Sequence, residues 1–285
     1  MREWFKARQW GSPIRPSLAL LTAGLGVLAV LVWRAALDAP DGRLHLTVLP
    51  VEGGEALLIQ SPTGRAVLVD GGSSARTLSD ALGRRLPLFH RELDYLVVAL
   101  PQEGNLAALP RAIGRFPPSA VLWAGPNNAS FSGRELNAAL VEAQIPVTRA
   151  EAGQALDLGG GAQLRVLSAN RMGAVLCLEW GNFRAVLPVG ANFEDLEMLE
   201  NRGYGPVSAL LLAQGGYASL NPPELVQALR PQVVLLSVSA GNRDGLPDPE
   251  TLEVVEGYPL LRTDLNGWLR LSTDGKQMWV EVEKK

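Results

Sequence analysis

Polar side chains that could do chemistry follow two apolar runs of the sequence. Asp70 ends one run and precedes a Gly-Gly pair, and Gln102, Glu103 and Asn105 follow a second run that ends at Leu100. A carboxylate at such a position could be a metal ligand or a general base. For Asp70 we favour a turn-forming role, because Asp before glycine commonly accepts hydrogen bonds from backbone N–H groups. Glu103 fits a solvated turn acid near a helix N-terminus, where its charge is favourable.

The supply of reactive residue types limits the chemistry further. The 285 residues include two histidines, His45 and His90, and one cysteine, Cys177. Imidazole is the commonest general base near neutral pH, and catalytic zinc sites usually contain two or more imidazoles. A single cysteine allows no internal disulfide. The triplet Gly159–Gly161 lacks the Lys-Ser/Thr ending of a phosphate-binding loop, so we interpret it as a hairpin turn.

The elements that must position these residues alternate between strands and helices. Early strands are contiguous, and later strands are separated by helices whose starts are indicated by Ser132, Asn192, Asn221 and Asp248. This pattern predicts a two-sheet α/β sandwich with helices outside. Strands are predicted at 46–49, 56–60, 66–70, 93–100, 120–123, 163–167, 174–180, 184–188, 209–213, 233–238, 268–272 and 278–282.

An apolar segment near the N-terminus predicts a membrane anchor. Residues 17–33 are 17 uncharged residues, which as a helix cover about 26 Å, close to a bilayer core of about 30 Å. Four basic residues and one acid precede the segment, so residues 1–16 are expected in the cytoplasm and the rest outside, as a single-pass protein of the cell membrane. Residues 34–43 would be a linker and 44–285 the globular domain. A cleaved signal peptide is the alternative, but no small-x-small cleavage site follows.

The charge of the globular domain argues against nucleic acid as a direct ligand. Six of the 26 basic residues and three of the 29 acidic residues precede Leu44, so the remainder carries a net charge of about −6. A nucleic-acid surface normally has the opposite sign. Direct nucleic-acid binding by this domain is therefore disfavoured.

Four motifs occur in a fixed order after Leu44. They are the hairpin segment 46–60, the sequence Leu-Val-Asp-Gly-Gly at 68–72, the loop 238–249, and Arg-Thr-Asp-Leu-Asn-Gly at 262–267 followed by Thr-Asp-Gly. Together they resemble the C-terminal metallo-β-lactamase-like domain of the DNA-internalisation competence proteins of the ComEC type. The resemblance implies a metallo-β-lactamase-like αββα sandwich, here preceded by one N-terminal transmembrane helix. In that family the domain carries a zinc site built from His and Asp.

This sequence departs from the family at the metal ligands. The positions 100–105, 189–191 and 214–217 replace the family's three ligand motifs, and Leu246 replaces a late-loop histidine. Gln and Asn are weak neutral ligands, and Leu, Gly and Ala have no ligating side chain. We therefore expect no catalytic residues, no metal ligands and no cofactor. The degenerate former-site positions are Asp70, Leu100, Gln102, Gly104, Asn105, Ala191, Gln214, Gly215 and Leu246.

Three functions follow from this interpretation. The favoured one is a pseudoenzyme with a binding or assembly role, beside a competence-type membrane channel, in which Leu100, Ala191 and Leu246 fill the former cavity. The second is a hydrolase of the nuclease or phosphodiesterase type with an atypical metal centre, using Asp70, Glu103 and an ion such as Mg²⁺ or Ca²⁺. The third is a free-standing ligand-binding domain that uses the vacant groove.

Overall fold

The computed structural model describes residues 18–37, 40–87, 91–239, 241–242 and 245–284. The chain divides into two units, Met1–Ala39 and Pro40–Lys285. In the first unit, helix α1 spans Leu18–Leu37 and so continues beyond the predicted boundary at residue 33. Over the described part of the chain, no helix has both the length and the apolar character that crossing a bilayer requires. The predicted cytoplasmic segment 1–16 and His90 lie outside the described residues.

The second unit consists of short strands and helices in alternation. Its strands are β1 (Leu44–Val48), β2 (Ala56–Gln60), β3 (Ala66–Asp70), β4 (Leu93–Val98), β5 (Pro118–Trp123), β6 (Val147–Arg149), β7 (Ala155–Gly159), β8 (Ala162–Ala169), β9 (Ala174–Trp180), β10 (Phe183–Leu187), β11 (Ala209–Leu211), β12 (Val233–Leu236), β13 (Leu260–Arg262), β14 (Leu269–Thr273) and β15 (Met278–Val282). Its helices are α2 (Ala75–Gly83), α3 (Glu103–Leu106), α4 (Leu109–Ala112), α5 (Phe131–Glu142), α6 (Phe193–Asn201), α7 (Pro223–Leu229), α8 (Pro249–Val254) and α9 (Thr263–Asn266).

These strands form two mixed sheets. The first has the order β15-β14-β1-β2-β3-β4-β5-β6, and the second has the order β13-β12-β11-β10-β9-β8-β7. Strands β3 to β6 are parallel, as are β10 to β13, and helical crossovers connect most of these parallel neighbours. The glycine triplet at 159–161 forms the tight β7–β8 hairpin that its sequence predicts.

The apolar side chains divide into three layers of core. One layer lies between the sheets and includes Leu57, Leu100 and Leu176. A second packs the first sheet against α2 to α5, and a third packs the second sheet against α6 and α7. The central strands have buried residues on both faces because the middle of each sheet is covered on both sides. The predicted two-sheet sandwich with outer helices is therefore confirmed.

Two predicted helix starts are wrong and two are right. Helix α5 begins at Phe131 with Ser130 as its cap, because the hydroxyl of Ser130 accepts a hydrogen bond from the N–H of Gly133. Asn221 does not cap α7, since its side chain is buried and bonded to other backbone groups. Asn192 caps α6 in a reciprocal arrangement with Asp195, as predicted. Asp248 lies at the predicted start of α8. The short strands β6, β7 and β13 were not predicted from the sequence.

Candidate functional site

Seven of the nine predicted site positions line one pocket at the ends of the strands. This central pocket has a volume of about 190 Å³. Leu100 is fully buried and Leu246 half-buried, so apolar side chains occupy only part of the space that the sequence predicts them to fill. Asp70 lies beneath the pocket, and Ala191 is buried in the core layer under α6 and α7. The lining residues are Gly53, Gly54, Glu55, Leu100, Gln102, Gly104, Asn105, Gln214, Gly215, Ser237, Val238, Ser239, Asn242 and Leu246.

Asp70 holds together the first-sheet side of the pocket. It ends β3 with a left-handed backbone (φ 52°), which is unusual for a residue other than glycine. Its carboxyl accepts hydrogen bonds from the N–H of Ala99 at 2.8 Å, the N–H of Leu100 at 3.1 Å and Nδ2 of Asn105 at 2.9 Å. Asp70 therefore fixes the course of the chain after β4. Its role is structural, as favoured from the sequence, but its donors lie about 30 residues away and not in the Gly-Gly turn that follows it. We call these four residues the Asp70 network.

The Asp70 network keeps its carboxyl out of water. Asp70 is fully buried, and burial raises its pKa to about 7, although the hydrogen bonds from Asn105, Ala99 and Leu100 act in the opposite direction. The backbone oxygen of Asn105 also accepts a hydrogen bond from the N–H of Gly71. Asn105 thus bonds the turn after β4 to the end of β3 through both its side chain and its backbone.

A second buried carboxyl, Glu55, comes from the loop between β1 and β2. Neither of its oxygens accepts a hydrogen bond of normal geometry from a described residue. Burial raises its pKa to about 8, repulsion from Asp70 contributes in the same direction, and the N–H groups of Gly215 and Gln214 lower it. Sequence analysis missed Glu55. The available signal was an acid that follows a Gly-Gly pair and opens a strand.

Close backbone packing brings Glu55 to the pocket. Gly54 has φ +63°, and a Cβ at this position would collide with the carbonyl group of Gly104. The β1–β2 loop and the turn after β4 therefore touch through two glycines. A side chain at Gly54 would separate them and withdraw Glu55 from the pocket.

The second-sheet side of the pocket is a strained turn held by buried side chains. Gln214 has a left-handed backbone (φ 45°), which the surrounding contacts must stabilise. The buried side chain of Asn221 accepts from the N–H of Ala213 at 2.8 Å and donates to the carbonyl oxygens of Ala213 and Tyr217. These bonds close the turn around Gln214 from below, so its shape does not depend on a ligand.

Glu103 faces away from the Asp70 network. Its carboxylate accepts hydrogen bonds from the N–H of Ser132 at 3.0 Å and from the Ser132 hydroxyl at 2.5 Å. These bonds lower the pKa of Glu103. The carboxylate thus stabilises the first turn of α5, and the structure does not bring it together with Asp70 as a catalytic pair.

The remaining reactive residues have structural surroundings. His45 contacts Ser272 at 2.8 Å and Asp41 at 3.0 Å, so it is paired, as expected for a residue on the first strand. Cys177 is buried, and burial raises the pKa of its thiol to about 12. Within the described ranges, no three His, Cys, Asp or Glu side chains come close enough to form a metal-binding group.

The chemistry open to the central pocket is that of two buried carboxyl groups among amides, hydroxyls and leucines. Such groups titrate near neutral pH, where they can exchange protons or accept hydrogen bonds from a ligand. Gln214 and Asn105 add neutral polar groups, and no histidine is among the lining residues described.

Comparisons with known proteins identify the fold. No family model and no curated protein matches the sequence. Among solved structures, the metallo-β-lactamase fold protein YhfI from Bacillus subtilis is 16% identical, with 76% of this chain covered, 95% of YhfI covered and a TM-score of 0.52. Zinc-bound PqqB from Methylobacterium extorquens is 10% identical, with 76% of this chain and 97% of PqqB covered and a TM-score of 0.52.

CmlA, a diiron β-hydroxylase from Streptomyces venezuelae, is 16% identical with a TM-score of 0.50. The match covers 81% of this chain but 54% of CmlA, so the chain spans about half the length of that enzyme. At such identities the comparisons establish the fold alone. The second unit of this chain therefore has the metallo-β-lactamase fold.

Proposed function

We propose that this chain is a membrane-anchored, catalytically inactive domain of the metallo-β-lactamase fold with a binding or assembly role. It resembles the C-terminal domain of ComEC-type competence proteins, and its partner would be a competence-type membrane channel. The anchor would be the apolar segment 17–33, with the N-terminus in the cytoplasm and the domain outside. The negative charge of the domain disfavours DNA itself as the direct ligand.

The observation that carries the proposal is the composition of the central pocket. The positions where the resemblance places metal ligands gather around this pocket, and they hold Leu100, Gln102, Gly104, Asn105 and Leu246. None of these side chains is a strong zinc ligand. Asp70, the one former-site carboxylate, already accepts three hydrogen bonds from protein donors. A pocket of this kind favours binding over metal-dependent hydrolysis.

Metal content tests the inactive state. Full-length protein, purified without a histidine tag, is treated with a chelator, divided, and incubated with or without zinc before gel filtration and elemental analysis. We expect less than one zinc per chain in both halves, because two buried carboxyls and neutral amides bind zinc weakly. One tightly held zinc per chain in the zinc-treated half would overturn the proposal.

The orientation is tested separately. A reporter that is active only after export is fused behind residue 285, and a reporter that is active only in the cytoplasm serves as the matched fusion. We expect activity from the exported reporter alone, because basic residues ahead of the segment favour a cytoplasmic N-terminus. Neutralising Arg2, Lys6, Arg8 and Arg15 together should weaken this preference. Activity of the cytoplasmic reporter alone would refute the orientation.

A second function, a hydrolase with an atypical metal centre, is favoured by one observation. Glu55 and Asp70 are buried carboxyls whose pKa values are about 8 and about 7, and proximity of two acids is a common design of acid–base centres. Hydrolysis of a phosphodiester in the presence of Mg²⁺, lost in Glu55→Gln and kept in Glu256→Gln, would favour this function. No hydrolysis by the parent protein would favour the inactive domain.

A further inference from the structure

A second cavity lies beside the far edge of the first sheet. It is bounded by the last residues of β5 and β6, by α5 and by the β8–β9 turn, and its volume is about 640 Å³. This volume is within the range of small-molecule sites, which is roughly 300–1,000 Å³. It shares no lining residue with the central pocket. We call it the arginine pocket, and it is lined by Trp123, Gly125, Pro126, Asn127, Asn137, Val147, Arg149 and Arg171.

Among the described residues that line the arginine pocket are two arginines and no Asp or Glu. Within the described part of the chain, neither Arg149 nor Arg171 forms a salt bridge. Another cavity of this chain shows the usual arrangement, since Arg184 there pairs with Glu179 at 3.1 Å. Two unpaired arginines in one concavity are notable in a domain whose net charge is negative. They create a local positive potential that attracts anions.

Trp123 borders the same cavity, but its indole nitrogen does not open into it. Trp123 is 3% exposed, and its Nε1–H makes no hydrogen bond to any described residue. Buried indole N–H groups usually find a partner, and an indole can only donate. Because Nε1 is itself shielded from solvent, the indole forms part of the cavity wall and is not a donor that a ligand in the cavity can reach.

Strand pairing holds two of the lining residues, Trp123 and Arg149, side by side. Arg149 is the direct register partner of Trp123 across β5 and β6, and the N–H of Ala150 donates to the carbonyl oxygen of Trp123 at 2.8 Å. Because the two strands are parallel, both residues lie at the carboxyl ends of the strands, where ligands of open α/β sheets commonly bind.

The third wall is also held in place. Asn170 fixes the turn that carries Arg171, since its Oδ1 accepts from the N–H of Met172 at 2.6 Å and its Nδ2 donates to Asp195 at 2.6 Å. Gly125, with φ +71°, lets this turn close over β5, because a Cβ there would lie 3.1 Å from the carbonyl oxygen of Arg171. Backbone from three separate elements, namely β5, β6 and the β8–β9 turn, thus holds Trp123, Arg149 and Arg171 in place.

We propose that the arginine pocket binds a small organic anion through a phosphate or carboxylate group. Guanidinium groups bind both oxyanions through paired N–H donors. The Asn127–Asn137 amide pair, joined at 3.1 Å, would border the ligand. This site goes beyond the proposed function, because it uses other residues and holds whether or not the domain is inactive.

Calorimetric titration of the full-length protein tests the site. The probes are pyrophosphate, for phosphate chemistry, and citrate, for carboxylate chemistry, each at constant ionic strength against a chloride control. We expect saturable binding of at least one probe, and the stronger probe identifies the anion class. Arg149→Gln and Arg171→Gln should each weaken binding about tenfold or more, as expected for a lost hydrogen bond between charged groups.

Two further variants separate a specific site from general charge. Arg202→Gln removes the same charge from an exposed position outside the pocket, and it should leave affinity as in the parent. Trp123→Phe keeps an aromatic ring in the core and removes only the shielded N–H, so it should leave affinity near that of the parent while the protein stays folded by circular dichroism. The proposal fails if neither probe saturates at millimolar concentration. It also fails if Arg202→Gln weakens binding as much as Arg149→Gln does.

Discussion

Two buried carboxyl groups at the central pocket, Asp70 and Glu55, have opposite surroundings. In the Asp70 network, three protein donors surround the carboxyl of Asp70. In the β1–β2 loop, the carboxyl of Glu55 accepts no hydrogen bond of normal geometry from a described residue, and the nearby N–H groups of Gly215 and Gln214 offset its burial only in part. Both groups are removed from water, and burial raises both pKa values, to about 7 and about 8.

This difference teaches what each acid contributes. A buried acid with several donors holds the backbone in place, and its removal leaves those donors without partners. A buried acid without donors opposes folding whenever it is ionised. Asp70 therefore stabilises the fold. The burial of Glu55, by contrast, carries a free-energy penalty that packing, protonation or a ligand must offset.

The largest expected effect tests the structural half of this comparison. Asp70→Ala should lower the free energy of unfolding by about 3 kcal/mol or more, because three donors would each lose a partner at about 1–3 kcal/mol. Chemical denaturation measures this loss. Asp94→Ala is the matched control, since half-buried Asp94 accepts one such bond, from the N–H of Ala66 at 2.7 Å, and should cost about 1 kcal/mol. Equal losses for the two variants would remove the distinction drawn for Asp70.

The next effect concerns the apolar residue that the Asp70 network holds. Leu100 is buried in the core between the sheets, so Leu100→Ala should cost roughly 2–5 kcal/mol through lost transfer energy and a cavity. Leu265→Ala, at an exposed position, should change stability by less than about 0.5 kcal/mol. Leu100→His should also destabilise the fold and create no activity. A Leu100→His variant that melts like the parent would mean that this position is open to solvent.

A smaller, pH-dependent effect tests the Glu55 half. The folded pKa of about 8 lies above the ordinary value of 4.5, so the folded state retains a proton that the unfolded state releases. The free energy of unfolding should therefore fall as pH rises from about 5 to about 8, by up to about 1.4 kcal/mol per pH unit. Glu55→Gln should flatten this slope, most clearly above pH 7, where Asp70 no longer contributes. The same change at exposed Glu256 is the control, and an unchanged slope in Glu55→Gln would contradict the assignment.

The smallest effect involves the acid that points away from the pocket. Glu103→Ala should lower stability by about 0.5–1 kcal/mol, because Glu103 bonds the N–H and the hydroxyl of Ser132 at the start of α5. Thermal melts should show a lower midpoint for Glu103→Ala than for Glu135→Ala, which alters an exposed acid within α5. A loss as large as that of Asp70→Ala would place Glu103 in the Asp70 network instead.

Much of the fold and part of the site could be predicted from local signals. Alternating apolar runs identify most strands, and the motif around Asp70 places the end of β3 at one edge of the sandwich. The β6 and β13 strands were missed because each is short and has no buried residue, whereas the equally short β11 is buried throughout and lies in an apolar run. The cap of α5 was misplaced by two residues because Ser130 and Ser132 carry the same local signal, and only contact with Glu103 separates their roles.

The sequence by itself determined the layer order of the domain, the residue types at the former ligand positions and the shortage of imidazoles, because these depend on local pattern and composition. Tertiary structure alone decided that Glu55 is buried with no hydrogen bond of normal geometry from a described residue. It alone brought together Trp123, Arg149 and Arg171, which come from three elements of the chain. The physical reason is that desolvation, pairing and pocket shape depend on distances between residues far apart in sequence, and no local pattern encodes those distances.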